Sequence, residues 1–117
     1  AGLLLRARDM AKLGMLMIYK GNNGTDQIIS EQWVNDSYVK YSENHYFDYG
    51  YLWWLTTVNN TNVYFASGYG GQFIFCIPTK NIIVVGTADF LNNNGRASQQ
   101  WSDMFNFITT RVIPVII

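Results

Sequence analysis

Residues 51–87, YLWWLTTVNNTNVYFASGYGGQFIFCIPTKNIIVVGT, decide the fold. Apolar and aromatic runs at 51–58, 63–66, 73–77 and 82–87 each have the length of a strand, and turn-forming residues separate them. Asn59-Asn60-Thr61-Asn62 supplies the first turn, Pro78-Thr79-Lys80-Asn81 the last, and Ala66-Ser67-Gly68-Tyr69-Gly70-Gly71-Gln72 lies between. Connections this short join antiparallel neighbours, because a parallel pair needs a crossover of a dozen residues or more. The sequence therefore predicts four strands in an antiparallel meander. Several of them are apolar on both alternating faces, so the sheet needs cover on each side.

Helical patterns flank the strands. Over 7–19, Met10, Leu13 and Met17 recur at helical spacing with Ala11, Gly14 and Ile18 beside them. Ala11 and Gly14 thin one face for close packing, and Gly21 with Asn22-Asn23-Gly24 ends the helix. Ser30 is the predicted N-cap, with Glu31 in the first turn, of a short helix over 31–39 that buries Trp33 and Val34. Residues 42–48 read as a polar loop. After Asn92-Asn93-Asn94-Gly95, Ser98 is predicted to cap a helix whose buried stripe is Trp101, Met104, Phe105, Ile108 and Val112, with Pro114 ending it. One long helix covers one face of the sheet, so the N-terminal helices or a further segment must cover the other. The predicted class is α+β, an antiparallel sheet meander flanked by helices.

Composition narrows the function. The chain has 117 residues, 49% of them hydrophobic, which is ample for one packed core. Eight basic residues balance eight acidic ones, and no cluster of Lys or Arg forms the surface that tracks phosphates, which argues against nucleic acid. The longest apolar runs are strand-sized, far short of the roughly 20 residues of a membrane-spanning helix. Cys76 and His45 are the only residues of their kinds. An internal disulfide, a cysteine cluster and a metal site built on several imidazoles are thereby excluded within the chain, and no cofactor is expected. Cys76 reads as a buried small hydrophobe; His45, in a polar stretch, reads as solvated.

The glycine segment is the candidate site, because glycines at a strand end let another molecule approach the backbone. Taken alone it also fits a bulge or turn with no ligand. Four stretches in order carry a more specific reading: Gly2-Leu3-Leu4-Leu5 with the helix from Ala7 to Gly14, Gln27 to Val34, Tyr49-Gly50-Tyr51-Leu52-Trp53-Trp54, and Ala66 to Phe75. Together they resemble the C-terminal part of serine hydrolases related to class C β-lactamases, penicillin-binding proteins and 6-aminohexanoate-dimer hydrolases. The resemblance covers essentially the whole chain. One departure is Arg6, where relatives usually carry a helix-capping Thr or Ser.

This resemblance implies that residues 1–117 form the C-terminal portion of a β-lactamase/transpeptidase-like fold, inactive alone, whose nucleophile-bearing part precedes Ala1. The family joins an S-x-x-K serine and a second-motif Tyr or Ser to a third motif of the K-T-G type. By resemblance Ala66, Ser67 and Gly68 occupy the third-motif places. With Gly70 they would contact a small-molecule ester or amide substrate, and the Tyr69 backbone N–H would be the catalytic oxyanion donor. Ala66 replaces the cation of the lactam-binding enzymes with a methyl, which argues against a β-lactam carboxylate. Many relatives are exported, so a periplasmic or secreted location is implied by resemblance alone.

Two other readings come from the letters themselves. Ser37-Tyr38-Val39-Lys40 satisfies S-x-x-K and Ser42-Glu43-Asn44 satisfies S-x-N. Ser37, however, falls at the end of a short helix, whereas a nucleophile belongs at the start of a buried one, where the helix N–H groups act on it. The second reading is a non-catalytic binding module, in which Tyr49, Tyr51, Trp53, Trp54, Tyr64 and Tyr69 form an aromatic platform for a sugar or peptide.

Overall fold

A computed structural model describes residues 2–117. Its elements in chain order are α1 (Ala7–Ile18), α2 (Glu31–Ser37), β1 (Ser42–Glu43), β2 (Asp48–Tyr49), β3 (Trp54–Val58), β4 (Thr61–Gly68), β5 (Gln72–Ile77), a 3-10 turn (Pro78–Lys80), β6 (Ile82–Gly86), α3 (Ala97–Phe107), a π-helical turn (Ile108–Val112) and α4 (Ile113–Ile116). The six strands form one antiparallel sheet in sequence order, β1-β2-β3-β4-β5-β6. The class is α+β, a meander flanked by helices, as the turn spacing requires.

Each hairpin closes for a local reason. Asn59 and Asn60 adopt φ of 48° and 61°, the left-handed pair of a two-residue turn whose twist matches the strands it joins. Thr61 can therefore pair with Val58 at once, and β4 is longer than predicted. Asn81, at φ 57°, ends the 3-10 turn and lets Ile82 pair with Ile77. Two features depart from expectation at the start of the sheet. The polar stretch 42–48 is not all loop, since Ser42 and Glu43 pair with Tyr49 and Asp48; strands of two residues are too short to leave an alternating signature. β3 begins at Trp54 rather than Tyr51, because residues 50–53 form the β2–β3 turn, with Gly50 N–H donating to Trp53 O at 2.8 Å.

Both faces of the sheet are covered. On one, Val63, Phe65, Phe73, Phe75 and Ile77 pack under Ile108 and Ile113, with Trp54, Trp101 and Phe105 around them. On the other, Ile74 and Cys76 pack under Met17 and Val34, with Met10, Trp53, Tyr64 and Ile83 around them. Alternate residues of β4 and β5 thus enter opposite cores. α1 approaches closely at Gly14, where a Cβ would lie 2.8 Å from Ile83 Cγ2. Cover for the second face comes from the N-terminal helices.

The helix ends show where local pattern misleads. Ser30 caps α2 by accepting the Trp33 N–H at 3.1 Å, as predicted, yet of the two residues expected to be buried Trp33 stays 51% exposed and Val34 alone is buried. Ser98 is not a cap: α3 begins at Ala97, and Arg96 at the cap position gives no side-chain hydrogen bond. Arg6 likewise leaves α1 without a side-chain cap. The buried stripe of α3 ends on Ile113 rather than Val112. A π turn spends one extra residue per turn, Ile113 N–H reaching back to Ile108 O, so the stripe shifts by one position. Pro114 follows that irregular turn and sits in the first turn of α4, where its missing N–H breaks no ladder bond, so the helical path continues to Ile116.

Cys76 is fully buried, which pushes its thiol up to about 12; in the structure the thiol donates to the Gly14 carbonyl at 3.8 Å. Burial likewise raises the Tyr38 phenol, with the neighbouring Cys76 adding to the effect. Above pH 9 the unfolded chain releases thiol and phenol protons that the fold retains, so the unfolded state binds fewer protons and stability falls as pH rises toward 12. Urea midpoints are expected to drop between pH 7 and about pH 10.5, and the drop should be smaller in Cys76→Ala; an equal drop in both would contradict it. A second prediction concerns the β2–β3 turn. A Cβ on Gly50 would lie 1.9 Å from the Ser37 carbonyl oxygen, so Gly50→Ala is expected to cost about 3 kcal/mol in urea unfolding.

Candidate functional site

β3 pairs with β4 only as far as Trp54 opposite Phe65, whereas β5 continues opposite Ala66, Ser67 and Gly68. The cause is the β2–β3 turn, which carries the chain away at Leu52 with a left-handed φ of 65°. Residues 66–68 therefore have a strand partner on one side and an open backbone edge on the other, the kind of edge to which an extended ligand can bond. Strand alternation sends Ala66 to the α1 side and Ser67 to the α3 side. Ala66 packs against the Ile74 and Cys76 cluster, and Ser67 Oγ accepts a 2.7 Å hydrogen bond from Trp101 Nε1.

The glycine turn that follows is fixed from two directions. Gly70 and Gly71 have φ of 75° and 98°, a region that side chains other than glycine's rarely enter. The turn lies against α3, where a Cβ on Gly71 would come 3.1 Å from Gln100 O. Gln100 Nε2 donates to Gly70 O at 2.7 Å and to Asp89 O at 2.8 Å. Gln72 Nε2 donates to Ala88 O at 2.7 Å, and Gln72 Oε1 accepts the Ala88 N–H at 3.3 Å. Two glutamine side chains thus join turn, helix and the loop after β6. That loop is organised by Asp89, whose carboxylate accepts from Asn92 Nδ2 and from the Asn92 and Leu91 N–H groups. These bonds, the Asn92 side chain first, hold its pKa below the usual carboxylate range.

Tyr69 projects outward, 69% exposed, and its N–H finds no backbone acceptor among the described residues. Beside the open edge runs a groove of about 500 Å³ lined by Leu3, Leu5, Leu13, Leu52, Ala66 and Phe90, with Ile74 and Gln72 beneath. No charged side chain lines it. Its chemistry suits an apolar chain lying along the strand edge, and the methyl of Ala66 adds no charge. Ala66, Ser67 and Gly68 line this groove, whereas Tyr69 and Gly70 line a separate pocket with Ala97, Ser98, Trp101 and Ser102.

A polar cleft of about 560 Å³ lies beside the β1–β2 hairpin, where His45 is exposed among Lys40, Glu43 and Asp48. Lys40 and Asn44 of the S-x-x-K and S-x-N letters line it but neither Ser37 nor Ser42 does, and its chemistry is wrong for acyl transfer. Ser37 is 1% exposed, and its hydroxyl donates to Trp33 O at 2.7 Å. Lys40 Nζ hydrogen-bonds Glu43 and lies 3.0 Å from Asp48 Oδ1. Those two carboxylates, Glu43 first, raise the ammonium pKa, the opposite of what a general base requires.

The six rings read as a platform do not share a surface. Trp53 and Tyr64 belong to the α1-side cluster and Trp54 to the α3-side one, with Tyr49 against Trp54 at 4.4 Å. Tyr51 stacks between Trp33 at 5.2 Å and Tyr41 at 4.4 Å. Sequence reasoning missed Gln72, Gln100, Asp89 and Trp101 as supports of the site. Only Trp101 carried a signal, through a helical stripe that marked it as core. Among the described residues no three His, Cys, Asp or Glu side chains are grouped to hold a metal, and no helix is long and apolar enough to cross a membrane.

No protein-family model and no curated protein matches the chain.

Gln100→Leu leaves the Gly70 and Asp89 carbonyls without their donor, a loss expected to cost about 1–2 kcal/mol. Amide hydrogen exchange should quicken at Gly70, Gly71 and Phe90 while Phe75 and Ile77 keep their protection. Uniform loss of protection across β5 would contradict this local role.

Proposed function

We propose that this chain is the C-terminal portion of a serine hydrolase of the β-lactamase-related class, acting through an acyl-enzyme on a small ester or amide. The observation that carries the reading is the open backbone edge of Ala66-Ser67-Gly68 beside an uncharged apolar groove, continued by a glycine turn in which the Tyr69 N–H has no backbone acceptor among the described residues. On this reading the substrate lies against the strand edge with its acyl chain in the groove. As a nucleophilic serine attacks the carbonyl, negative charge develops on oxygen, and the Tyr69 N–H donates to it from a turn held rigid by Gln72 and Gln100. A donor fixed before reaction spends no energy on reorganisation, which is why a backbone group in a braced turn suits the task. The nucleophile, its lysine and the second-motif residue belong to the part of the protein that precedes Ala1. The same reading favours an exported, periplasmic or secreted protein. The uncharged groove supports neutral acyl groups over substrates bearing a carboxylate.

The test uses the full-length protein and p-nitrophenyl butyrate. A fluorophosphonate is expected to label one serine preceding Ala1 and to leave Ser37 unlabelled. Tyr69→Phe keeps the N–H and should hold kcat within about twofold, whereas Tyr69→Pro deletes the donor and should lower kcat about 100-fold or more. Labelling of Ser37, or equal activity in the Phe and Pro variants, would sink the assignment.

A further inference from the structure

The indole of Trp101 is stacked on Phe105, with centroids 5.1 Å apart and planes within 5°, and meets Phe73 at 5.3 Å with the planes tilted by 55°. From that fixed position its Nε1 reaches Ser67 Oγ at 2.7 Å. An indole N–H donates and never accepts. Ser67 Oγ must therefore use a lone pair toward Trp101, and its single O–H is left to point elsewhere. Among the described residues that O–H has no acceptor, and Ser67 is exposed at the open end of β4.

We infer that Trp101 is a positioning residue that orients the Ser67 hydroxyl by holding one of its lone pairs, so that its O–H can donate to an acceptor oxygen of the substrate. The inference rests on the hydrolase reading and narrows it. The hydroxyl oxygen has two lone pairs, and with one of them engaged by a rigid indole its O–H is directed away from α3, toward the open side. The substrate group that this O–H recognises is a carbonyl or ether oxygen. The neighbouring Ala66 methyl and the uncharged groove select in the same direction, because neither compensates a charge. Trp101 acts through Ser67 and touches no reacting atom.

The experiment measures kcat/KM of the full-length protein for p-nitrophenyl butyrate in Trp101→Phe, Ser67→Ala and the double variant. Phe keeps an aromatic ring on Phe105 and Phe73 but removes ring volume together with the N–H, so the double variant decides. A packing loss would slow Ser67→Ala further, whereas a lost orientation of Ser67 would not. The inference predicts a loss of about fivefold in Trp101→Phe, a larger loss in Ser67→Ala, and a double variant no slower than Ser67→Ala, since an N–H with no hydroxyl to orient has no further effect. Ser67→Thr, which keeps the hydroxyl, should retain most of the rate. Unchanged turnover in Trp101→Phe, or losses that multiply in the double variant, would overturn the role of Trp101 and leave the hydrolase reading standing. Absence of turnover and of serine labelling in the unaltered protein would overturn both.

Discussion

Two-sided burial of the β4–β5 hairpin is the constraint on which the molecule depends. Val63, Phe65, Phe73, Phe75 and Ile77 enter one core, while Ile74 and Cys76 enter the other. Successive side chains on a strand point to opposite faces, so a sheet covered on both sides fixes register strictly: a slip of one residue would exchange the two cores. Full burial of a single large apolar side chain contributes about 1.5–3 kcal/mol, and each of these positions adds to the penalty for such a slip. The aromatic side is the more specific of the two. Phe105 packs among Phe47, Phe65, Phe73, Phe75 and Trp101 with centroids 5.1–5.9 Å apart, which locks α3 onto the sheet.

The same constraint builds the candidate site. Because β3 holds β4 over residues 61–65 and β5 holds it over 64–68, its last three residues can extend past the end of β3 without losing their place. α3, once seated, brings Gln100 to the glycine turn and Trp101 to Ser67. A backbone edge is thus open to a ligand while its own position is set from β5, α3 and the loop after β6. Sites of this kind need their supports more than their contact residues, since a displaced donor loses most of its effect.

Local rules failed where a longer-range contact competed with them. Trp33 follows a well-placed cap and would be buried on pattern alone, yet it stacks on Tyr51 at the surface and leaves the core to Val34. Ser98 carries the chemistry of an N-cap, but α3 starts one residue earlier at Ala97, which packs as a buried residue instead. Val112 lost its expected place to Ile113 because one π turn rephased the helix. Ser37 and Lys40 reproduce a catalytic spelling, and hydrogen bonds to Trp33 O, Glu43 and Asp48 occupy both of them.

The sequence by itself determined the meander, its turns at Asn59-Asn60 and Pro78-Thr79-Lys80, the α1 and α3 amphipathic faces, the burial of Cys76, and the glycine segment as the place where a backbone is exposed. These are consequences of residues acting on near neighbours, through φ preference, alternation and helical period. Only the tertiary structure decided that β3 stops short of Ala66, that an uncharged groove runs beside that edge, and that Gln72, Gln100 and Trp101 brace it. Those features join residues 16 to 34 positions apart. A polar side chain carries no local mark of a partner at that distance, and the chain must be folded before the two are adjacent.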